Sequence, residues 1–305
     1  MSTRRSASAR LEGHPLTPYL FAAPVAIYLI LFQFYPLVQE FYLSFTATDL
    51  LRPSDSTFVG LDNYSFLIEV GDLHKVLGVT AIYTICCVVF AVGLGLLAAL
   101  LLDAPFVGRG VARALVTVPW AAPSVAVALV FTWMFNAQYG IFNHGLRALS
   151  LPFGAENWLD SPNLALPAIL LTTVWQIFPF SSVVILAALQ GVPQELREAA
   201  AIDGADRFNI FKTAVWPTIQ PTVFMLVLFV TIWSLRRFDL IWLMTQGGPI
   251  GATNTLVIEL YRQGFVYRDL GSAAAIGMIG LTVALVITVI YFKVTQAAER
   301  AQGKR

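Results

Sequence analysis

Long apolar runs alternate with short polar breaks along this chain. A helix needs about 20 mostly apolar residues to cross the hydrocarbon core of a bilayer. Six runs are long enough: 18–40, 76–102, 112–135, 164–189, 215–244 and 271–294. The pattern predicts an all-α integral membrane protein with six transmembrane helices. An N-terminal tail covers 1–17, the transmembrane domain 18–294 and a C-terminal tail 295–305. The first run follows Arg4, Arg5 and Arg10, as a signal peptide would. It is longer than the about 7–15 apolar residues of a signal core, and no small-x-small cleavage site follows, so it is read as an uncleaved span. The segments 46–75 and 137–163 carry Gly, Pro and aromatic residues, among them Phe58-Val59-Gly60-Leu61-Asp62-Asn63-Tyr64 and Trp158. They predict compact caps, too small for a separate enzyme domain. Tyr19, Tyr42, Trp133 and Trp158 fall near predicted span ends, as an interfacial aromatic belt would.

Six spans put both termini on one side. With the termini inside, twelve of the 19 Lys and Arg face the cytoplasm and seven face outward. The excess of inside positive charge favours that orientation. It places the polar segment 191–217 in the cytoplasm.

Composition agrees with the pattern. Hydrophobic residues make up 57% and charged residues 12%, where soluble domains carry about 25% charged. Cys86 and Cys87 are neighbours inside an apolar run and read as core residues. His14, His74 and His144 have no ligand spacing, so no metal is expected. The sequence holds no G-x-x-x-x-G-K-[ST] loop. The chain is therefore expected to be non-catalytic, with any ATP hydrolysis in another subunit. An ion-gradient-driven secondary transporter is the alternative. Such proteins often carry acidic residues in mid-membrane, and here Asp103 and Asp239 lie near span ends. No paired-carboxylate or metal cluster supports a membrane enzyme, and no feature calls for a nucleic-acid partner.

The most informative polar stretch is Glu198-Ala199-Ala200-Ala201-Ile202-Asp203-Gly204, followed by Pro217. Pro193 can occupy a first helical turn. Gln194 to Ile202 read as helix, and Gly204 can close it in the left-handed conformation. A second short helix over about 206–214 leads to Pro217. Leu196, Ala199 and Ala200 share one small, apolar face, which can sit in a groove on a partner.

This spacing resembles the EAA signature of bacterial ABC importer permeases, with Glu198, Ala199, Ala200, Gly204 and Pro217 at its marked positions. Ala214 stands where the family has Ile, and Trp216 where it has Leu. The run Phe238-Asp239 to Thr245-Gln246-Gly247-Gly248-Pro249 is similar to a block of carbohydrate importer permeases. Thr253, Thr255, Tyr261, Phe265 and Gly271-Ser272-Ala273-Ala274-Ala275 follow in that family's order, and Val118-Pro119-Trp120-Ala121-Ala122-Pro123-Ser124 has its look. The resemblance is to the sugar branch, near the maltose and glycerol-phosphate systems. It implies a type I ABC importer permease architecture with a second permease subunit, usually a different chain. It also implies two ATPase subunits that bind ATP and Mg, and an extracytoplasmic solute-binding protein. In that reading the helix around Glu198 couples to the ATPase: Glu198 is its charged anchor, and Ala199 and Ala200 allow close approach.

Polar side chains inside spans mark cavities more often than lipid contact. Trp120 and Ser124, four apart, are expected on one face of the third span. Thr173, Gln176 and Phe180 are expected on one face of the fourth, and Ser234 and Arg237 on the fifth. Spans at these places line the pathway in similar sugar permeases. Aromatic faces can stack on a sugar ring while hydroxyls and amides exchange hydrogen bonds with it. The bland reading makes these residues ordinary core aromatics and self-bonded hydroxyls. Arg236 or Arg237 then pairs with Asp239 or snorkels to the interface. The sharper reading has Arg237 recognise an anionic group on the solute.

Overall fold

A computed structural model describes residues 17–301 except 153 and 155. The tail residues Arg4, Arg5, Arg10, Lys304 and Arg305, together with His14, lie outside the described residues. Among the described residues, five helices are long and apolar enough to cross a membrane: Pro18–Leu43, Leu73–Asp103, Ala165–Gln190, Arg207–Leu235 and Leu270–Ala298. Two more helices, Arg109–Ala121 and Ser124–Met134, meet that test only as a pair, bent by 93° at their junction, and together make a sixth candidate crossing. The expected single helix over 112–135 is corrected accordingly. The cause is local. Pro123 disfavours helical backbone at the residue before it, and Ala122 adopts an extended ψ of 135°. Trp120 and Ser124 therefore sit on opposite sides of a break rather than on one helical face.

The fifth predicted span also changes. Its helix begins at Arg207, so the expected second short helix is the first turn of the span. It ends at Leu235, and a separate helix covers Asp239–Thr245. Arg236 caps the span with its N–H on the Ser234 carbonyl. Two spans absorb a proline in the same way. A wide π turn at Ile30–Phe34 precedes Pro36, and another at Phe211–Val215 precedes Pro217. Proline lacks an N–H and crowds the carbonyl one turn back. The widened turn relieves both, and Trp216 N–H bonds to Phe211 O across it.

The bundle centres on the second and fourth spans. A Cβ on Gly95 would stand 2.5 Å from Ser181 Cβ, so the missing side chain lets the two backbones approach. The fifth span completes this core with Ile219, Val223, Leu226 and Val230 against Ala91, Ile185 and Leu189. A second core gathers Tyr83, Phe131, Phe135 and Ile169 around the second half of the broken span and the Asp239–Thr245 helix. The first span is different: no residue of its apolar window is buried within the chain. It offers its length to lipid or to another subunit.

One end of the bundle carries the expected caps. Strands Thr46–Asp49 and Arg52–Phe58 form an antiparallel hairpin, with Thr46 opposite Phe58 and Asp49 opposite Arg52. Asn63 Nδ2 donates to the carbonyls of Ser44 and Thr46 and pins the hairpin. In the second cap Trp158 Nε1 donates to Asn143 Oδ1 at 2.7 Å. Trp158 packs against the second core. It is half-buried in this cap, whereas Tyr19, Tyr42 and Trp133 are exposed.

Candidate functional site

The turn between the fourth and fifth spans is built almost entirely from its own residues. Pro193 is the N-cap, one position before the expected one, and the helix runs Gln194–Ile202. Gly204 has a φ of +80°. Its N–H bonds to Ala201 O, and Ala205 N–H bonds to Ala200 O. These are the paired bonds of a Schellman cap, which need a left-handed residue at the glycine position. Asp206 then caps the fifth span by accepting from Asn209 N–H at 2.8 Å. No residue of the Gln194–Ile202 helix is buried. Leu196 is 47% exposed, and Ile202 and Phe208 are more exposed still. A helix so short is marginal alone.

Gln194, Arg197, Glu198 and Ala201 line a hollow of ≈ 390 Å³ against Asp103, Leu189, Gln190 and Val192. Glu198 stands at its rim, and its Oε1 accepts from Gln194 Nε2 at 2.7 Å. Arg197 reaches across to Asp103 Oδ2 at 3.2 Å and to Leu189 O at 3.0 Å. Arg113 donates to Leu102 O at 2.8 Å. With the Gln190 amide turned so that its oxygen faces Arg113, both Nη atoms also lie 3.2 Å from that oxygen. Two arginines thus satisfy end carbonyls of the second and fourth spans, where the helix dipole favours positive charge. Sequence reading missed both. Arg197 and Asp103 are 94 positions apart, and nothing local announces the pair.

The predicted pathway residues divide. The broken third span leaves the Ala122 carbonyl without its helical partner, and Gln176 Nε2 supplies one at 3.0 Å. Gln176 Oε1 in turn accepts from Arg237. The three form a brace across the third, fourth and fifth elements. Among the described residues neither Arg236 nor Arg237 forms an ion pair with Asp239. Beside the brace the rings of Trp120 and Phe180 lie 5.4 Å apart, and those of Phe180 and Trp233 lie 4.9 Å apart. Trp120 is 51% and Trp233 38% exposed, so this aromatic row has an open face. Trp233 was not singled out from sequence, although it lies four residues before Arg237. Ser124 is half-buried beyond the break. Thr173 is fully buried, and its hydroxyl pairs with Tyr83 OH at 3.0 Å. Ser234 is buried as well. Trp120, Gln176, Phe180 and Arg237 are brought together; Thr173 and Ser234 are buried and form none of these contacts.

Residues 91–300 match the family described as binding-protein-dependent transport system inner membrane components. The chain belongs to this family. It is 32% identical over 287 residues to the sulfoquinovosyl glycerol transport system permease protein SmoG of Agrobacterium fabrum, covering 94% of this chain and 92% of that one. It is 36% identical over 276 residues to the trehalose/maltose transport system permease protein MalF of Thermococcus litoralis, covering 90% of this chain and 92% of that one. The fold is similar to that of a chain in the crystal structure of a bacterial ABC transporter for the acidic polysaccharide alginate. There the TM-score is 0.78 at 22% identity, with 92% of this chain and 94% of that chain covered. Family and fold together make this chain a multi-pass ABC importer permease of the inner membrane.

Proposed function

We propose that this permease forms half of the translocation pathway of an ATP-driven importer for a sugar or sugar derivative. The observation that carries the reading is the helix Gln194–Ile202, which is held to the span ends by Arg197 and otherwise unburied. The helix docks on an ATPase subunit through Glu198, Leu196, Ala199 and Ala200, and Gly204 and Pro217 shape the return into the fifth span. Two ATPase subunits bind ATP and Mg, a second permease completes the pathway, and an extracytoplasmic binding protein delivers the solute. Both termini face the cytoplasm. The named relatives carry sugars or sugar derivatives in their descriptions, and a neighbouring solved complex holds a periplasmic protein bound to an alginate pentasaccharide.

The open aromatic row of Trp120, Phe180 and Trp233 suits the apolar face of a sugar ring. Arg237 spends one arm on Gln176 and keeps donors for an acidic group on the solute, since guanidinium matches planar oxyanions. The docking claim is tested by co-purification. The ATPase subunit should travel with the wild-type permease and be released by Glu198→Lys; retention by that variant sinks it. Uptake by Arg237→Ala should fall more for acidic than for neutral sugars, and an equal fall, or none, ends the anion reading.

A further inference from the structure

The coupling turn has a load path. A pushed helix moves a bundle only if something stiff joins them, and at each end of Gln194–Ile202 the chain passes through a cap: Pro193 on one side and the left-handed Gly204 on the other. Among the described residues, the side-chain bonds from this helix to the spans run through Arg197. Its guanidinium reaches the Asp103 carboxylate at the end of the second span and the Leu189 carbonyl at the end of the fourth. The second and fourth spans pack closely, across Gly95 and Ser181. One planar fork therefore grips both central rods at once, a geometry that lysine cannot reproduce.

We propose that Arg197 and Asp103 form a strut that makes the coupling helix and the two central spans move as one body. This rests on the docking role proposed for the helix. Arg197 is a positioning residue: it faces the hollow behind the helix, while Leu196 and Ile202 remain open. Losing it should leave the ATPase bound and disconnect the motion.

The complete transporter tests this with spin labels on the exposed positions 203 and 101, with Cys86 and Cys87 replaced by Ser. In the wild-type background the distance between the labels should be the same with and without ATP and Mg. In Arg197→Ala it should change by about 2 Å or more, the scale of helix shifts in switching proteins, while the ATPase subunit still co-purifies. Arg197→Lys should fall between the two. Exchanging the charges, Arg197→Asp with Asp103→Arg, rebuilds the ion pair but not the bond to Leu189 O, so it should restore the fixed distance only in part. If Arg197→Ala does not assemble, Asp103→Asn keeps the side-chain size and is read in the same way. A distance that stays fixed in these single variants overturns the strut, as does a charge exchange that recovers no part of it. The docking role fails separately, when Glu198→Lys retains the ATPase subunit. In that case the width of the distance distribution without nucleotide reads the strut alone: broader in Arg197→Ala supports it, and unchanged overturns it.

Discussion

Two polar turns carry the most recognisable residues of this chain, and they are built in opposite ways. The turn over 245–263 is closed on itself. Thr245 and Thr253 share a hydroxyl bond of 2.7 Å, and Thr253 also donates to Gly248 O at 2.8 Å. Glu259 is buried and accepts from Asn254 at 2.6 Å and from Gln263 at 2.7 Å. Thr80 of the second span accepts the Leu256 N–H at 2.9 Å. The turn over 191–206 buries none of its helix. On the docking role proposed for the second turn, a family motif can serve the fold or serve a partner, and burial separates the two uses where residue identity does not.

The sharpest way to break this contrast is a substitution that each turn should feel differently. Gly247 has a φ of +88°, and a Cβ there would meet Ile258 Cγ2 at 2.9 Å. Ile258 is fully buried. Gly247→Val combines left-handed strain in a β-branched residue with overpacking, so it should cost about 3–5 kcal/mol. Denaturation of the purified transporter in detergent measures it; a loss below about 1 kcal/mol, the ordinary single-mutation effect, would mean that this turn is not the rigid element described.

Glu259→Ala comes next. It strands the amides of Asn254 and Gln263 in a buried place, at about 3 kcal/mol for two lost charge-assisted bonds. The same denaturation experiment reads it, and an intact midpoint would show that water replaces the carboxylate. Gly204→Ala is the matching change in the other turn. Its φ of +80° is as unfavourable for a side chain, but nothing lies within 4 Å of the new Cβ. Only the backbone term remains, about 1 kcal/mol. A loss as large as at Gly247 would erase the distinction between the two turns.

The contrast also explains what was legible in the sequence. Apolar run length revealed the spans because bilayer thickness imposes it. Local helix and cap chemistry gave Gln194–Ile202 its boundaries and Gly204 its conformation. The break after Pro119 and before Pro123 was signalled by the prolines, yet apolar content alone still read as one continuous helix. The hairpin stayed hidden because Arg52–Phe58 is exposed at every position and so has no alternating pattern. Gln176, bonded to Ala122, was found as a polar residue in a span, but its role as a brace was not, because pairing across 54 positions leaves no local trace. Arg197 was passed over for the same reason: its partner Asp103 looked like an ordinary span end.

Glu198→Ala should have the smallest effect on stability and the plainest effect on assembly. The carboxylate accepts one exposed bond, from Gln194 one helical turn earlier. Such i, i+4 bonds are worth about 0.2–0.5 kcal/mol on a helix surface, so the denaturation midpoint should hardly move. A side chain that the fold does not need is free to be kept for a partner. The ATPase subunit should therefore co-purify less well with this variant, although the permease itself is as stable as before. A variant that loses stability and keeps the ATPase would reverse the assignment, making Glu198 a structural residue of the same kind as Glu259.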